Sequence, residues 1–242
     1  KIASEFYKRI PKSKKEDYDL DSFVDNYGKK KNSPKPKKEI SLQQLEIEVN
    51  TFIENARHQY YLIPNRVIPK QERSKWRFKV KRWHKELTNQ NRNDVNLERQ
   101  SEILNNLYEL ICESCAYQYF SAYDPFESIG IEQSTFYSSV IHIRQEAEGK
   151  IDALKPSIEL IINNELNRYT LYSELMAELI ITLNNVDLRY KGIKISEDLI
   201  SLIEKNSLKK GNFNFSYEEF SKKRKKNNLA ELGLRLYADL YE

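Results

Sequence analysis

Residues 41–60 read SLQQLEIEVNTFIENARHQY and carry a long helical signal. Ser41 is followed three residues later by Gln44, which is the spacing of a capping box at a helix N-terminus. Apolar residues then recur every three or four positions, as one face of a helix requires: Leu42, Leu45, Val49, Phe52, Ile53, Ala56 and Tyr60. The stretch therefore predicts an amphipathic helix that ends before Pro64.

The same periodicity, interrupted by short polar or proline-containing segments, continues through the rest of the chain. It predicts further helices near 69–87, 94–119, 134–148, 156–168, 171–188, 196–206 and 217–241. The last of these is predicted as one kinked helix or two. The fold expected is all-α, an irregular bundle of about eight helices, with stacked helix pairs as the alternative arrangement.

The six glycines exclude several enzyme classes, because no two of them lie within ten residues of each other. Neither G-x-G-x-x-G, nor the P-loop, nor the G-x-S-x-G nucleophile elbow can be written in this sequence. Dinucleotide enzymes, P-loop NTPases and protein kinases are therefore not expected. Few Gly and Pro also mean few tight hairpin turns, which argues against a many-stranded sandwich or barrel.

Composition predicts an N-terminal arm and linker at 1–40, followed by a helical domain at 41–242. The run GKKKNSPKPKKE at 28–39 has no large apolar residue and cannot repay the entropy of ordering. A further subdivision of the domain, into a basic helical pair at 41–90 and a bundle at 91–242, is suggested by charge. The net charge is +5 in 1–40, +5 in 41–90, −9 in 91–190 and +3 in 191–242.

The apolar runs are too short for a membrane-spanning helix, so no membrane insertion is expected. The sequence begins at Lys1 without an apolar leader, and we expect a processed or truncated chain without a secretory signal. Two cysteines cannot form a disulfide scaffold. The expected location is cytoplasmic.

The segment Arg66 to Lys85, RVIPKQERSKWRFKVKRWHK, has one acid, Glu72, among nine basic residues. On one helix, Arg73, Arg77 and Lys81 would form a first row of cations, and Lys75, Lys79 and Arg82 a second row beside it. Two adjacent rows of cations suit the repeating phosphates of a nucleic acid. The candidate contacts are Arg66, Lys70, Arg73, Lys75, Arg77, Phe78, Lys79, Lys81, Arg82 and Lys85. The alternative is a solvated face, or one that pairs with the acidic middle of the chain.

A second basic run, Lys222 to Lys226, is a possible additional contact. Short clusters of this kind also occur as solvated segments.

His84, Glu86, Cys112 and Cys115 follow the order of the zinc-deaminase signature, H-x-E and then P-C-x-x-C. Ile111 stands where that signature has Pro, and the intervening residues read as loop and helix rather than strand. Both cysteines lie within an apolar helical pattern, where Cys packs as a small hydrophobe. His84, Cys112 and Cys115 are therefore weak metal candidates, and no metal or other cofactor is expected.

The function we expect from the sequence is a non-catalytic helical binding or scaffold module, whose partner is a protein or a polyanion. A nucleic-acid-binding protein that uses the basic helix 66–85 is the alternative. A zinc-dependent deaminase is the distant third.

Overall fold

The computed structural model describes residues 40–62, 67–89, 94–208 and 217–240, with isolated positions at 7, 9–11, 14–15 and 91. The chain divides into two compact units, Lys1–Ile40 and Ser41–Glu242. The predicted linker at 28–39 and the candidate residue Arg66 lie outside the described residues.

The described residues of the second unit form ten helices and no strand, which confirms the all-α prediction. In chain order they are α1 (Leu42–Arg57), α2 (Lys70–Arg73), α3 (Trp76–Leu87), α4 (Leu97–Ala116), α5 (Pro125–Ile129), α6 (Gln133–Glu148), α7 (Leu154–Asn163), α8 (Tyr172–Thr182), α9 (Val186–Leu208) and α10 (Tyr217–Ala238).

The helices pack in pairs around α4, which contacts α1, α3, α5 and α6. Helix α6 continues the bundle to α8, while α9 and α10 pair with each other and lie against α7. The middle of α4 is accordingly apolar and buried over several turns: Ile103, Leu104, Leu107, Tyr108, Leu110 and Ile111. An irregular bundle of packed helix pairs is therefore the architecture, as predicted.

The predicted N-cap of the first helix is confirmed. Ser41 is extended, and its Oγ accepts a hydrogen bond from the Gln44 backbone N–H at 3.2 Å. The Gln44 side chain donates to Glu48 instead of returning to Ser41, so only half of the capping box forms.

Two local differences explain why ten helices replace the predicted eight. The basic segment is divided into α2 and α3 by a turn at Ser74 and Lys75, and α2 buries no side chain. The segment after Tyr123 forms the short helix α5, which Asp124 caps by accepting from the Glu127 N–H at 2.9 Å.

The predicted helix start at Ser196 is wrong. Helix α9 begins instead after Asn185, whose Oδ1 accepts from the Leu188 N–H at 2.8 Å. Ser196 lies in the helix interior, is buried, and donates its hydroxyl to the Gly192 carbonyl at 2.9 Å. Helix α9 continues through Ser196 because α10 packs against it and covers the face that contains Gly192 and Ser196.

None of the helices within the described ranges combines the length and the apolar character that crossing a lipid bilayer requires.

Candidate nucleic-acid interface

Helix α3 is held in place by an apolar stripe that the sequence predicted correctly. Its buried residues are Trp76, Val80, Trp83 and Leu87. Trp76 stacks on Phe120 with ring centroids 4.1 Å apart, and Trp83 meets Phe52 of α1 edge-on at 5.1 Å. The orientation of α3 is therefore set by the core, and the residues opposite the stripe face outward.

The first predicted row of cations does not form as one helical line. Arg73 belongs to α2, and a turn at Ser74 and Lys75 separates it from Arg77. The guanidinium of Arg73 donates to the Leu62 carbonyl at 3.1 Å, which ties α2 to the segment after α1. Arg73 thus has a structural contact that the spacing did not reveal.

The second predicted row is paired within the molecule. Lys75 and Lys79 lie 3.1 and 3.5 Å from the carboxylate of Glu72, and hydrogen bonding from Lys75 lowers the pKa of Glu72. Arg82 contacts Glu48 of α1 at 2.7 Å. Exposed pairs of this kind contribute little to stability, but they reduce the charge that a ligand meets.

The Glu48 carboxylate has a second role at this contact, since it also accepts a hydrogen bond from Trp83 Nε1 at 3.1 Å. It lies at the edge of a groove of about 380 Å³ between α1 and α3, with Phe52 and Trp83 among its lining and Lys79 and Arg82 beside them. Two of the predicted candidates therefore border a partly aromatic groove.

Two lysines remain unpaired among the described residues of α3. Lys81 and Lys85 are four residues apart, so they lie about one turn from each other on the same side of the helix, and both are exposed. Lys70 of α2 is also exposed and unpaired within the described ranges.

Lys81 extends toward Gly130, whose missing β-carbon would lie 3.4 Å from the Lys81 Nζ. Gly130 has a φ of 69° at the end of α5, where a residue with a side chain would be strained.

Phe78 lies among these cations with 46% of its surface exposed. Positions 78, 81, 82 and 85 follow the i, i+3, i+4, i+7 spacing of one helical face. We call Phe78, Lys81, Arg82 and Lys85 the α3 outer face. The Arg77 guanidinium lies 4.9 Å from the Phe78 ring centroid, a cation–π contact that accompanies the exposed ring.

The basic run at 222–226 is largely engaged in holding α10 to the bundle. Arg224 makes a two-point contact with Glu165 at 3.3 Å, Lys225 donates to Asn163 at 2.8 Å, and Lys226 pairs with Glu204. These partners lie in the α7–α8 region and in α9. The arrangement gives this run a role in packing that sequence spacing could not show.

The proposed zinc ligands are not brought together. No group of three His, Cys, Asp or Glu side chains that could hold a metal occurs in the described part of the chain. Cys112 is fully buried, and its sulfur accepts from the Gln133 amide at 3.3 Å. Burial raises the pKa of Cys112 well above its ordinary value and that of Cys115 to about 12, which disfavours the thiolate that zinc requires.

An acidic groove between α5, the start of α6 and α8 was missed by the sequence reasoning. It has a volume of about 870 Å³, and Glu127, Glu132, Glu174 and Glu178 line it. None of these four carboxylates forms an ion pair with a described cation. The excess of acids in 91–190 was the available signal, but those residues come from two distant stretches that only folding brings together.

No protein-family model, curated protein or solved structure matches the chain.

Proposed function

We propose that this chain is a non-catalytic helical module that binds nucleic acid through the α3 outer face. The observation that carries the proposal is the pair Lys81 and Lys85, which are exposed, unpaired among the described residues and about one turn apart. The opposite side of the same helix is fixed in the core by Trp76 and Trp83. A rigid helix that presents free cations in register is suited to phosphate contacts.

The charge balance around α3 supports a polyanionic ligand. Residues 67–87 contain eight Lys and Arg against the two acids Glu72 and Glu86. Even after Glu72 and Glu48 are assigned to their partners, the segment keeps a clear positive excess. Such an excess attracts nucleic acid and speeds its association.

The non-catalytic part of the proposal is supported by the cause of the strongly shifted pKa values. Burial is the leading cause for His84, Cys112, Cys115 and Tyr108. These groups belong to the apolar packing of the bundle and line neither of the two grooves described above, whereas catalytic groups with shifted pKa values lie in clefts that a substrate can enter.

The test is an anisotropy titration of a labelled oligonucleotide at several salt concentrations. We expect Lys81→Ala with Lys85→Ala to weaken binding and to reduce the log–log salt slope by about 1.5, since two phosphate contacts are lost. The matched control is Lys191→Ala with Lys194→Ala, which removes the same charge from exposed positions of α9 and should keep the parental slope.

Arg73 is not a suitable probe, because its substitution would also remove the bond to Leu62. Equal slopes for the two double variants would show that α3 is not the contact.

A second candidate is a scaffold that receives a basic segment of a protein partner, and the acidic groove favours it. The carboxylates of that groove, which form no ion pair within the described part of the chain, complement Lys and Arg side chains. If the parent chain binds no oligonucleotide even at low salt, this candidate becomes the better supported one.

A further inference from the structure

We infer that the α3 outer face selects single-stranded over double-stranded nucleic acid, with Phe78 stacking on an unpaired base while Lys81 and Lys85 contact phosphates. This inference rests on the proposed function, because it specifies which nucleic acid the same face binds.

The position of Phe78 on α3 makes its ring available for stacking on a base. An amphipathic helix gains stability by burying its apolar residues, yet Phe78 lies opposite the stripe formed by Trp76, Val80 and Trp83 and keeps 46% of its surface exposed. The ring is therefore not required by the core. An exposed ring surrounded by cations is the arrangement that single-strand-binding surfaces use to stack bases.

The spacing of Lys81 and Lys85 from Phe78 allows both lysines to contact phosphates beside the stacked base. Lys81 and Lys85 follow Phe78 by three and seven residues, so Lys85 lies about 10 Å further along the helix axis. If a base stacks on the Phe78 ring, the sugar-phosphate backbone of its strand runs along this side of α3. The ammonium groups of Lys81 and Lys85 then contact its phosphates. Base stacking and phosphate pairing thus come from one continuous surface.

The surrounding charges limit the surface that a strand can use. Toward α1 and α2, the carboxylates of Glu48 and Glu72 are paired with Arg82, Lys75 and Lys79. Beyond Lys81 lies Gly130, which lines the acidic groove together with Glu127 and Glu132. A strand that follows Phe78, Lys81 and Lys85 is therefore expected to keep to the α3 outer face, because the carboxylates of the acidic groove would repel its phosphates.

The contrast between single and double strands follows from the accessibility of the base faces. In a duplex the bases are already stacked on each other, so the Phe78 ring has no base face to cover, and the contacts of Lys81 and Lys85 with phosphates are all that remain of the proposed interaction. In a single strand every base offers a free face, and the contact tolerates any sequence.

The experiment compares an oligo-dT of about 12 nucleotides with a duplex of the same length, using the full chain. We expect the parent to prefer the single strand, and Phe78→Leu to weaken single-strand binding at least about fivefold while leaving duplex binding unchanged. Phe78→Trp should restore the preference, since it replaces the ring. Oligo-U should bind like oligo-dT, because neither proposed contact involves the sugar.

Phe220→Leu is the matched control, because Phe220 is 63% exposed in α10 and lies outside the α3 outer face. Loss of binding in this variant equal to that of Phe78→Leu would overturn the inference. So would equal binding of single strand, duplex and heparin by the parent, since the surface would then recognise charge alone.

The outcomes separate this inference from the proposed function. If the parent binds both nucleic acids and Phe78→Leu changes neither, the inference is wrong and the function stands. If the parent binds neither, the proposed function itself fails.

Discussion

The imidazole of His84 is half-buried, and its buried Nε2 atom has no hydrogen-bond partner among the described residues. It meets the Phe136 ring edge-on, with centroids 4.6 Å apart. Burial lowers the pKa of His84 from 6.5 to about 4, because the charged form would lose its hydration in this apolar environment. The neutral form is therefore the one that the fold accommodates.

The stability of the protein should consequently depend on pH through His84. The folded pKa is depressed, so the unfolded chain binds the extra proton first as the pH falls. The contribution of neutral His84 to the free energy of unfolding is complete above pH 6.5 and is lost as the pH falls from 6.5 to about 4. We expect the free energy of unfolding to fall by about 2 kcal/mol across this window, after allowance for partial exposure. Urea titrations at several pH values measure it.

His84→Leu should remove this part of the pH dependence, because leucine cannot be protonated. The control is His58→Gln at an exposed position, which should keep the parental profile. A His84→Leu profile with the same slope as the parent between pH 6.5 and 5 would show that His84 is not the source.

At the scale of the elements, Gly192 of α9 lies close to a buried leucine of α10. A β-carbon at Gly192 would lie 2.8 Å from Cδ1 of Leu236, which is fully buried in α10. A β-carbon at Gly233 would meet nothing within 4 Å. The two glycines lie on facing helices, but only Gly192 lacks room for a β-carbon, so they form a matched pair for substitution.

We expect Gly192→Ala to lower the free energy of unfolding by about 1 kcal/mol. Overpacking against Leu236 outweighs the gain in helix propensity that alanine brings. Gly233→Ala should raise it by about 0.5–1 kcal/mol, because the propensity gain comes without a clash. Thermal or urea unfolding of the two variants measures both changes, and equal shifts would contradict close packing at Gly192.

At the scale of the whole molecule, α4 joins the basic N-terminal helices of the second unit to the rest of the bundle. It contacts α1 and α3 on one side and α6 on the other. The distribution of charge suggested a subdivision into residues 41–90 and 91–242. Helix α4 therefore packs against helices from both of these parts. We expect Ser41–Glu242 to unfold as one cooperative unit.

Fluorescence and circular dichroism provide the measurement, because the only two tryptophans, Trp76 and Trp83, are both in α3. The fluorescence transition in urea should coincide with the far-ultraviolet transition of all the helices. Leu179→Ala, a truncation of about 2–5 kcal/mol in the distant helix α8, should lower both midpoints equally. A fluorescence midpoint that does not move would reveal two independent parts.

Features that depend on near neighbours in the chain were predicted from the sequence. The all-α class, the cap at Ser41 and the apolar stripe of α3 were all predicted from the spacing of residues up to four positions apart. Helix ends were less predictable. Ser196 resembles an N-cap, but α10 covers that part of α9 and the helix continues, so packing overrides the local preference.

The candidate site shows the same division between features that near neighbours in the chain determine and features that packing determines. Sequence spacing identified ten residues and placed most of the expected affinity on the row formed by Arg73, Arg77 and Lys81. Arg82 is neutralised by Glu48, which lies 34 positions away, and Arg73 is bound to Leu62, 11 positions away. An ion pair forms only when folding brings the two groups within about 4 Å. The packing of α1 against the bundle therefore decided the pairing of Arg82, whereas Lys75 and Lys79 pair with Glu72 of the same segment. No described carboxylate reaches Lys81 or Lys85, which lie beside Phe78 on the α3 outer face.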